Sequence, residues 1–421
     1  MSISELYDLY LLFPNICTDS RKVVSNSIYF SLKGERFNGN KFAKQALDSG
    51  CKFAIIDEKK YFTKGCILVP NVKACLQQLA TFHRDQLSIP IIGITGSNGK
   101  TTTKELIHSV LSIQYNCFAT KGNLNNQIGV PISVLEINNN HEIAVIEMGA
   151  SEKGEIEKLC NIAKPDTGII TNVGLAHLEG FGSFQGVVEA KTELYNYIKK
   201  NKGIIFVNSE DKILLEKSKE IKRKLYGKSK SSDFSSKIIQ EFPFISLQIG
   251  ETSINSNLIG EFQFHNILAA CIIGDFYKIG TNKLKVAIEN YKPTNNRTEI
   301  VETNKNYIIL DAYNANPSSM NHMIESFCKL KKNNKLCILG EMRELGEYSQ
   351  KEHLSLIQKM KNEEEIETIF IGKEFTKVSN ENTFINTDDF LENIGKYNLK
   401  DRTILVKGSR GIKLENLVDY L

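Results

Sequence analysis

The sequence predicts an α/β protein of three domains, with a central, mostly parallel sheet and a C-terminal Rossmann-like, doubly wound domain. Three observations carry this. Short apolar runs alternate with helical patterns, a glycine-rich turn joins one such run directly to a helix, and a second alternation begins after Lys292-Pro293. Parallel strands need crossover connections and are covered on both faces, so they read as unbroken apolar runs between helices.

The first region, residues 1–85, has β-rich runs at 27–32, 53–57 and 66–70 and a helical stretch at 41–49, and reads as a small α/β domain. The second, residues 86–292, opens with the apolar run 89–95, which passes through the glycine-rich turn into a helical pattern at 102–113. Further runs follow at 143–148, 168–173 and 203–208. Between residues 212 and 260 the pattern weakens and Lys and Ser crowd 228–237, so a flexible surface excursion is expected there. The third region, residues 293–421, repeats strand and helix from 307–311, 336–340, 368–372 and 403–407.

Composition excludes several classes. Of 421 residues, 41% are hydrophobic and 24% charged, as in soluble globular chains. The balance of 53 basic against 49 acidic residues leaves +4, too mild to predict nucleic acid binding. No apolar run approaches the roughly 20 residues of a membrane helix, so no membrane insertion is expected. The N-terminus lacks the basic, apolar and small-residue succession of a secretion signal. Nine scattered cysteines without a Cys-x-x-Cys pair argue against a disulfide framework and a zinc site, and a reducing cytoplasm fits.

The sharpest local signal is Gly93-Ile94-Thr95-Gly96-Ser97-Asn98-Gly99-Lys100-Thr101. Between a strand and a helix, backbone N–H groups of such a turn can point at phosphate oxygens, Lys100 can neutralise their charge, and the Thr101 hydroxyl can reach Mg²⁺. Ile94 stands where the standard P-loop has its first glycine, so this is a variant loop. The alternative is a strand-to-helix turn with an incidental lysine. Even a true P-loop specifies only nucleotide phosphate, since kinases, motors and ligases share it.

Glu147 ends the run 143–148, where a carboxylate could hold Mg²⁺ beside the P-loop or simply end a strand. His177 follows the next run and reads equally as a packed histidine. Lys191 lies in a helical pattern near Glu189 and Glu193, and by composition is a solvated lysine. Asp311 closes the first strand of the third region, and Asn316 followed by Pro317 reads as a helix cap.

These segments together resemble the Mur ligase family. The matching strings are 93–103, 122–131 (Gly-Asn-Leu-Asn-Asn-Gln-Ile-Gly-Val-Pro), Glu147 to Ala150, 177–182 with Lys191, 264–270 and Arg297. They continue with 311–317, 339–346 and 406–410. The Asn-rich string and Tyr313-Asn314-Ala315-Asn316-Pro317 resemble the dipeptide-adding branch, and the Asp-Asn-Pro-Arg string of its relatives is absent.

The resemblance implies an N-terminal UDP-sugar domain, a central ATPase domain and a closing C-terminal domain. It implies ATP- and Mg²⁺-dependent joining of D-alanyl-D-alanine to UDP-N-acetylmuramoyl tripeptide through an acyl phosphate, by a cytoplasmic and monomeric enzyme. Phosphate contacts fall to Gly96, Ser97, Asn98, Gly99, Lys100, Thr101 and Thr102, and adenine and ribose contacts to Asn266, Arg297 and Asp311. Thr101, Glu147, His177 and a carbamylated Lys191 are the implied metal ligands, and Lys100, Glu147, His177 and Lys191 the catalytic set. Substrate contacts fall to Ser20, Arg21, Asn125, Asn126, Tyr313, Asn314 and Asn316. Asn38-Gly39-Asn40 replaces the family's usual Asp-Gly-His, and Glu341 replaces a common Asp. The competing readings are a folylpolyglutamate synthase-like ligase, a P-loop motor or switch, and a catalytically silent UDP-sugar-binding protein.

Overall fold

The computed structural model describes residues 1–294 and 296–421. In the first region, four parallel strands lie in the order Asn15–Cys17, Ser27–Phe30, Phe53–Ile56 and Cys66–Leu68. Ile28, Phe30 and Ile55 share a core with Leu6 and Tyr10 of the helix Ile3–Leu12 and Leu76 and Leu79 of the helix Val72–Gln86. Helix Val72–Gln86 also packs on Gly129–Leu135 and Glu155–Ala163, so one apolar core runs from the first region into the second.

The central sheet has seven strands, all parallel: Phe234–Ser235, Arg223–Gly227, Ile204–Asn208, Thr167–Ile170, Ile91–Thr95, Ile143–Glu147 and Cys117–Ala119. After Ile91–Thr95 the chain adds strands first on one side and then on the other. Such a reversal opens a crevice outside the carboxyl ends of the strands, where ligands bind. The register pairs Ile94 with Glu147 and Thr95 with Ile170, so the glycine-rich turn, Glu147 and the loop starting at Thr171 leave the sheet together.

Residues 212–260 correct the expectation of a flexible excursion. Arg223–Gly227 and Phe234–Ser235 extend the parallel sheet, and Lys237–Gln240, Ser246–Ile249 and Thr252–Asn255 form an antiparallel sheet. Ile245, Leu247, Ile254 and Leu258 are fully buried against the helix Gln263–Phe276. The apolar residues alternate in strands too short to stand out beside the exposed Lys-Ser turn at 228–231.

In the C-terminal sheet, Glu299–Glu302 runs antiparallel to Asn306–Asp311. Arg402–Lys407, Lys335–Gly340, Glu367–Ile371 and Thr383–Phe384 follow in parallel. Its register sets Asp311 beside Lys407 at adjoining strand ends. Among the described residues, no helix is long and apolar enough to cross a membrane.

Candidate active site

A cavity of about 1070 Å³ lies outside the carboxyl ends of the central strands, walled on one side by the central region and on the other by the C-terminal region. The glycine-rich turn forms its floor. Gly96 (φ +145°) and Gly99 (φ +75°) hold backbone conformations that L side chains rarely adopt. A Cβ on Gly96 would fall 2.0 Å from Thr171 Oγ1, and one on Gly99 2.7 Å from Asn266 Oδ1. Ser97 Oγ donates to Gly174 O (3.0 Å), and Asn98 N donates to Asn172 Oδ1 (3.0 Å), which fixes the turn to the neighbouring loop. The helix Lys100–Leu111 starts at once, so its unpaired N–H groups and positive dipole end belong to the same turn. Lys100 Nζ donates to Gly96 O (2.7 Å) and Ser97 O (3.2 Å), and burial pulls its pKa below the ordinary lysine value. Ser97, Asn98, Gly99, Thr101 and Thr102 line the cavity beside it.

Glu147 is buried, with 1% of its surface exposed. Its Oε1 accepts from Thr101 Oγ1 (3.2 Å) and Asn125 Nδ2 (2.8 Å), while its Oε2 is buried without a partner. An unpaired buried carboxylate oxygen is costly unless a cation meets it. With the Thr101 hydroxyl beside it, this all-oxygen donor set fits a hard ion such as Mg²⁺. Among the described residues no three His, Cys, Asp or Glu side chains cluster as a metal cage. Mg²⁺ suits such a site, because it binds through one or two carboxylates and completes its shell with water and phosphate oxygens.

His177 stands in the loop beyond the strand Thr167–Ile170, at φ +51°, and lines the cavity. Its Nδ1 is in ion-pair contact with Glu344 of the C-terminal region. Lys191 is not solvated. In the helix Phe184–Lys200 it is 1% exposed, with Nζ 3.3 Å from Ala150 O and 5.1 Å above the Phe181 ring. Burial, with the Lys100 charge adding to it, brings its pKa down to about 7. Lys191 lies one residue behind the cavity wall, which Ala150 supplies. The signal was available: Val187, Leu194, Tyr195 and Ile198 place Lys191 in the apolar stripe of its helix.

From the C-terminal side come Arg297, Asp311, Tyr313 and Asn314. The Tyr313 ring meets two guanidinium groups, Arg297 at 3.7 Å and Arg410 at 5.4 Å. Asp311 is ion-paired to Lys407, and Asn266 accepts from Thr103 Oγ1 at 3.1 Å. Asn316 caps the helix Pro317–Cys328 in a capping box with Ser319, as its sequence indicates. Its Nδ2 also donates to Asn98 Oδ1 (2.7 Å), joining the C-terminal region to the glycine-rich turn.

Two candidates lie away from this cavity. Ser20 is buried, and Arg21 is exposed and paired at 2.8 Å with Asp19, whose carboxyl it holds well below the usual range. The first region reaches the cavity wall through Lys33 and Lys73 instead. Asn126 lines the cavity but commits its Oδ1 to the N–H groups of Ile128 and Gly129. Asn40, in the departure from the family string, is a buried structural hub: it donates to Asp57 and accepts from the Asp57 and Glu58 backbone. Sequence reasoning assigned no role to Glu344, nor to the fully buried Lys104, which donates to Thr120 O at the mouth of the Asn-rich loop.

The Mur ligase middle domain matches residues 94–274, and the Mur ligase glutamate ligase domain matches residues 296–410. The chain is 34% identical to the UDP-N-acetylmuramoyl-tripeptide--D-alanyl-D-alanine ligase of Bacillus subtilis (strain 168), over 96% of this chain and 92% of that protein. A crystal structure of MurF from Acinetobacter baumannii is similar with a TM-score of 0.87 at 28% identity, covering 97% of this chain and 93% of that one. MurF ligase from Thermotoga maritima in complex with ADP is similar at 0.83 and 26% identity, covering 97% of each chain. Likeness of sequence and of fold along nearly the whole length makes this chain a member of the Mur ligase family.

Proposed function

We propose that this chain joins D-alanyl-D-alanine to UDP-N-acetylmuramoyl tripeptide at the expense of ATP, with ADP and phosphate as the other products. The observation that carries this reading is the half-satisfied Glu147 carboxylate at the strand end beside the glycine-rich turn, in a cavity bounded by the Asn125 and Tyr313 loops. Relatives bearing that ligase name across nearly the full length support the choice of substrates.

A carboxylate and an amine do not condense in water, so the tripeptide carboxylate must first attack the γ-phosphorus of ATP, giving an acyl phosphate. The dipeptide amine then attacks the acyl carbon, loses a proton and expels phosphate. Transfer between two anions needs positive charge where the transition state is most negative. Lys100, released from the Gly96 and Ser97 carbonyls, and the N–H groups of the turn supply it. Thr101 and Glu147 would hold one Mg²⁺, and Glu147, His177 and Lys191 would face a second; bound there, the ions neutralise phosphate and carboxylate charge. Lys191 with its pKa near 7 is partly a free amine at neutral pH, the form that adds CO₂ to become an anionic carbamate. Asn266, Arg297 and Asp311 take the nucleoside end, and Ser20 and Arg21 the uridine end. Residues 1–85, 86–292 and 293–421 are the units that would move about the substrates, in the cytoplasm where ATP is available.

The test is a phosphate-release assay over a panel of UDP-linked peptides and amines. Release that requires both the tripeptide and D-alanyl-D-alanine supports the reading. Release with a folate and glutamate, or on adding a polymer without an amide product, would replace it.

A further inference from the structure

We infer that Glu344 is a positioning residue for His177, through which the docked C-terminal region sets the histidine to face an ion. The inference rests on the ligase reading only in taking His177 as ion-facing.

Glu344 belongs to the loop that follows the strand Lys335–Gly340, and it crosses from the C-terminal region to place a carboxylate oxygen against His177 Nδ1. Both backbones are unusual. Glu344 has φ +62° and His177 φ +51°, left-handed conformations that are strained for a non-glycine residue and persist where the surroundings fix them. The surroundings here are each other. Glu179 N donates to Glu344 O at 3.4 Å, and Gly346 (φ +53°) packs so closely that a Cβ there would lie 3.3 Å from Glu179 Cβ. Two left-handed residues from different regions thus meet through the contact of the Glu344 carboxylate with His177 Nδ1, with the Glu179 backbone hydrogen bond beside it, and both line the cavity.

The chemistry of the contact is specific. A carboxylate at Nδ1 favours the ring proton there, which leaves the Nε2 lone pair for a ligand. Carboxylate–histidine pairs of this kind orient metal-binding rings, and losing the outer carboxylate typically costs about 10- to 100-fold in metal affinity.

The test uses the full chain, as wild type, Glu344→Ala and Glu344→Gln. In metal-free protein at mildly alkaline pH, ¹⁵N spectra of labelled histidine, with the His177 signals assigned from His177→Gln, should show the Nδ1-protonated ring in wild type and Nε2 protonation in Glu344→Ala. Glu344→Gln, whose amide oxygen offers Nδ1–H an acceptor in the same place, should keep the wild-type pattern. The Mg²⁺ concentration for half-maximal ADP formation should rise about 10- to 100-fold in Glu344→Ala. An unchanged tautomer, or an unchanged Mg²⁺ midpoint in a variant that unfolds at the wild-type temperature, would overturn the inference. The tautomer measurement needs no substrate, so it answers independently of the proposed ligation.

Discussion

Lys191 Nζ lies 5.1 Å above the Phe181 ring, and its hydrogen bond runs to the Ala150 carbonyl, with no carboxylate in ion-pair contact among the described residues. A buried ammonium without an anion is destabilising, and the protein relieves this by lowering the pKa to about 7.

That shift fixes the sign of a pH effect. Between about 7 and 10.5 the unfolded chain holds a proton on this amine that the folded chain has released, so stability rises with pH across that window. In CO₂-free buffer, Lys191→Met should therefore be more stable than wild type. The gain is full below pH 7 and fades toward pH 10.5. Urea midpoints across that range check it, and a gain that does not vary with pH would contradict the account.

The same amine should react with CO₂. In ¹³C-bicarbonate buffer the wild-type protein should show a carbamate carbon signal that Lys191→Met lacks, and addition of Mg²⁺ should strengthen it. Identical spectra for the two proteins would remove Lys191 from the proposed ligands.

Glu147→Gln keeps an Oε1 acceptor for Thr101 and Asn125 while removing the charge at the unpaired oxygen. The fold should survive, with an unfolding temperature near that of wild type. The Mg²⁺ requirement should rise and kcat should fall by a factor on the order of 100 or more, as for other charges acting on a transition state. Wild-type Mg²⁺ dependence in this variant would show that the ion sits elsewhere.

Gly99→Ala forces a side chain into a left-handed position 2.7 Å from Asn266 Oδ1. Stability should fall by about 1–3 kcal/mol and ATP binding should weaken, because the turn must shift to relieve the clash. Calorimetric titration with ADP, alongside thermal unfolding, reads both effects.

The parts of this structure legible in the sequence are those with one dominant physical cause. The strands Ile91–Thr95, Ile143–Glu147 and Asn306–Asp311 are buried on both faces and read as apolar runs, and the cap at Asn316 shows in its own chemistry. Cys117–Ala119 and the sheet of residues 237–255 escaped notice, since a strand of three or four residues gives no period to detect. Lys191 read as solvated because residue type outweighed its position in an apolar stripe, and family resemblance alone reversed that. Glu344 falls within the family-like string 339–346, yet nothing in that string points to its own role. Its meaning depends on His177, which lies in a different region of the chain, and only the fold brings them together.

The reaction proposed for this cavity is an amide bond formed between a UDP-linked tripeptide and D-alanyl-D-alanine. Mass spectrometry of a reaction containing ATP, Mg²⁺, D-alanyl-D-alanine and the lysine- or diaminopimelate-containing UDP-N-acetylmuramoyl tripeptide tests it most directly. The expected product is the UDP-linked pentapeptide, with ADP and phosphate in equal amounts, and almost none with Lys100→Ala. ATP hydrolysis without pentapeptide from either acceptor would contradict it.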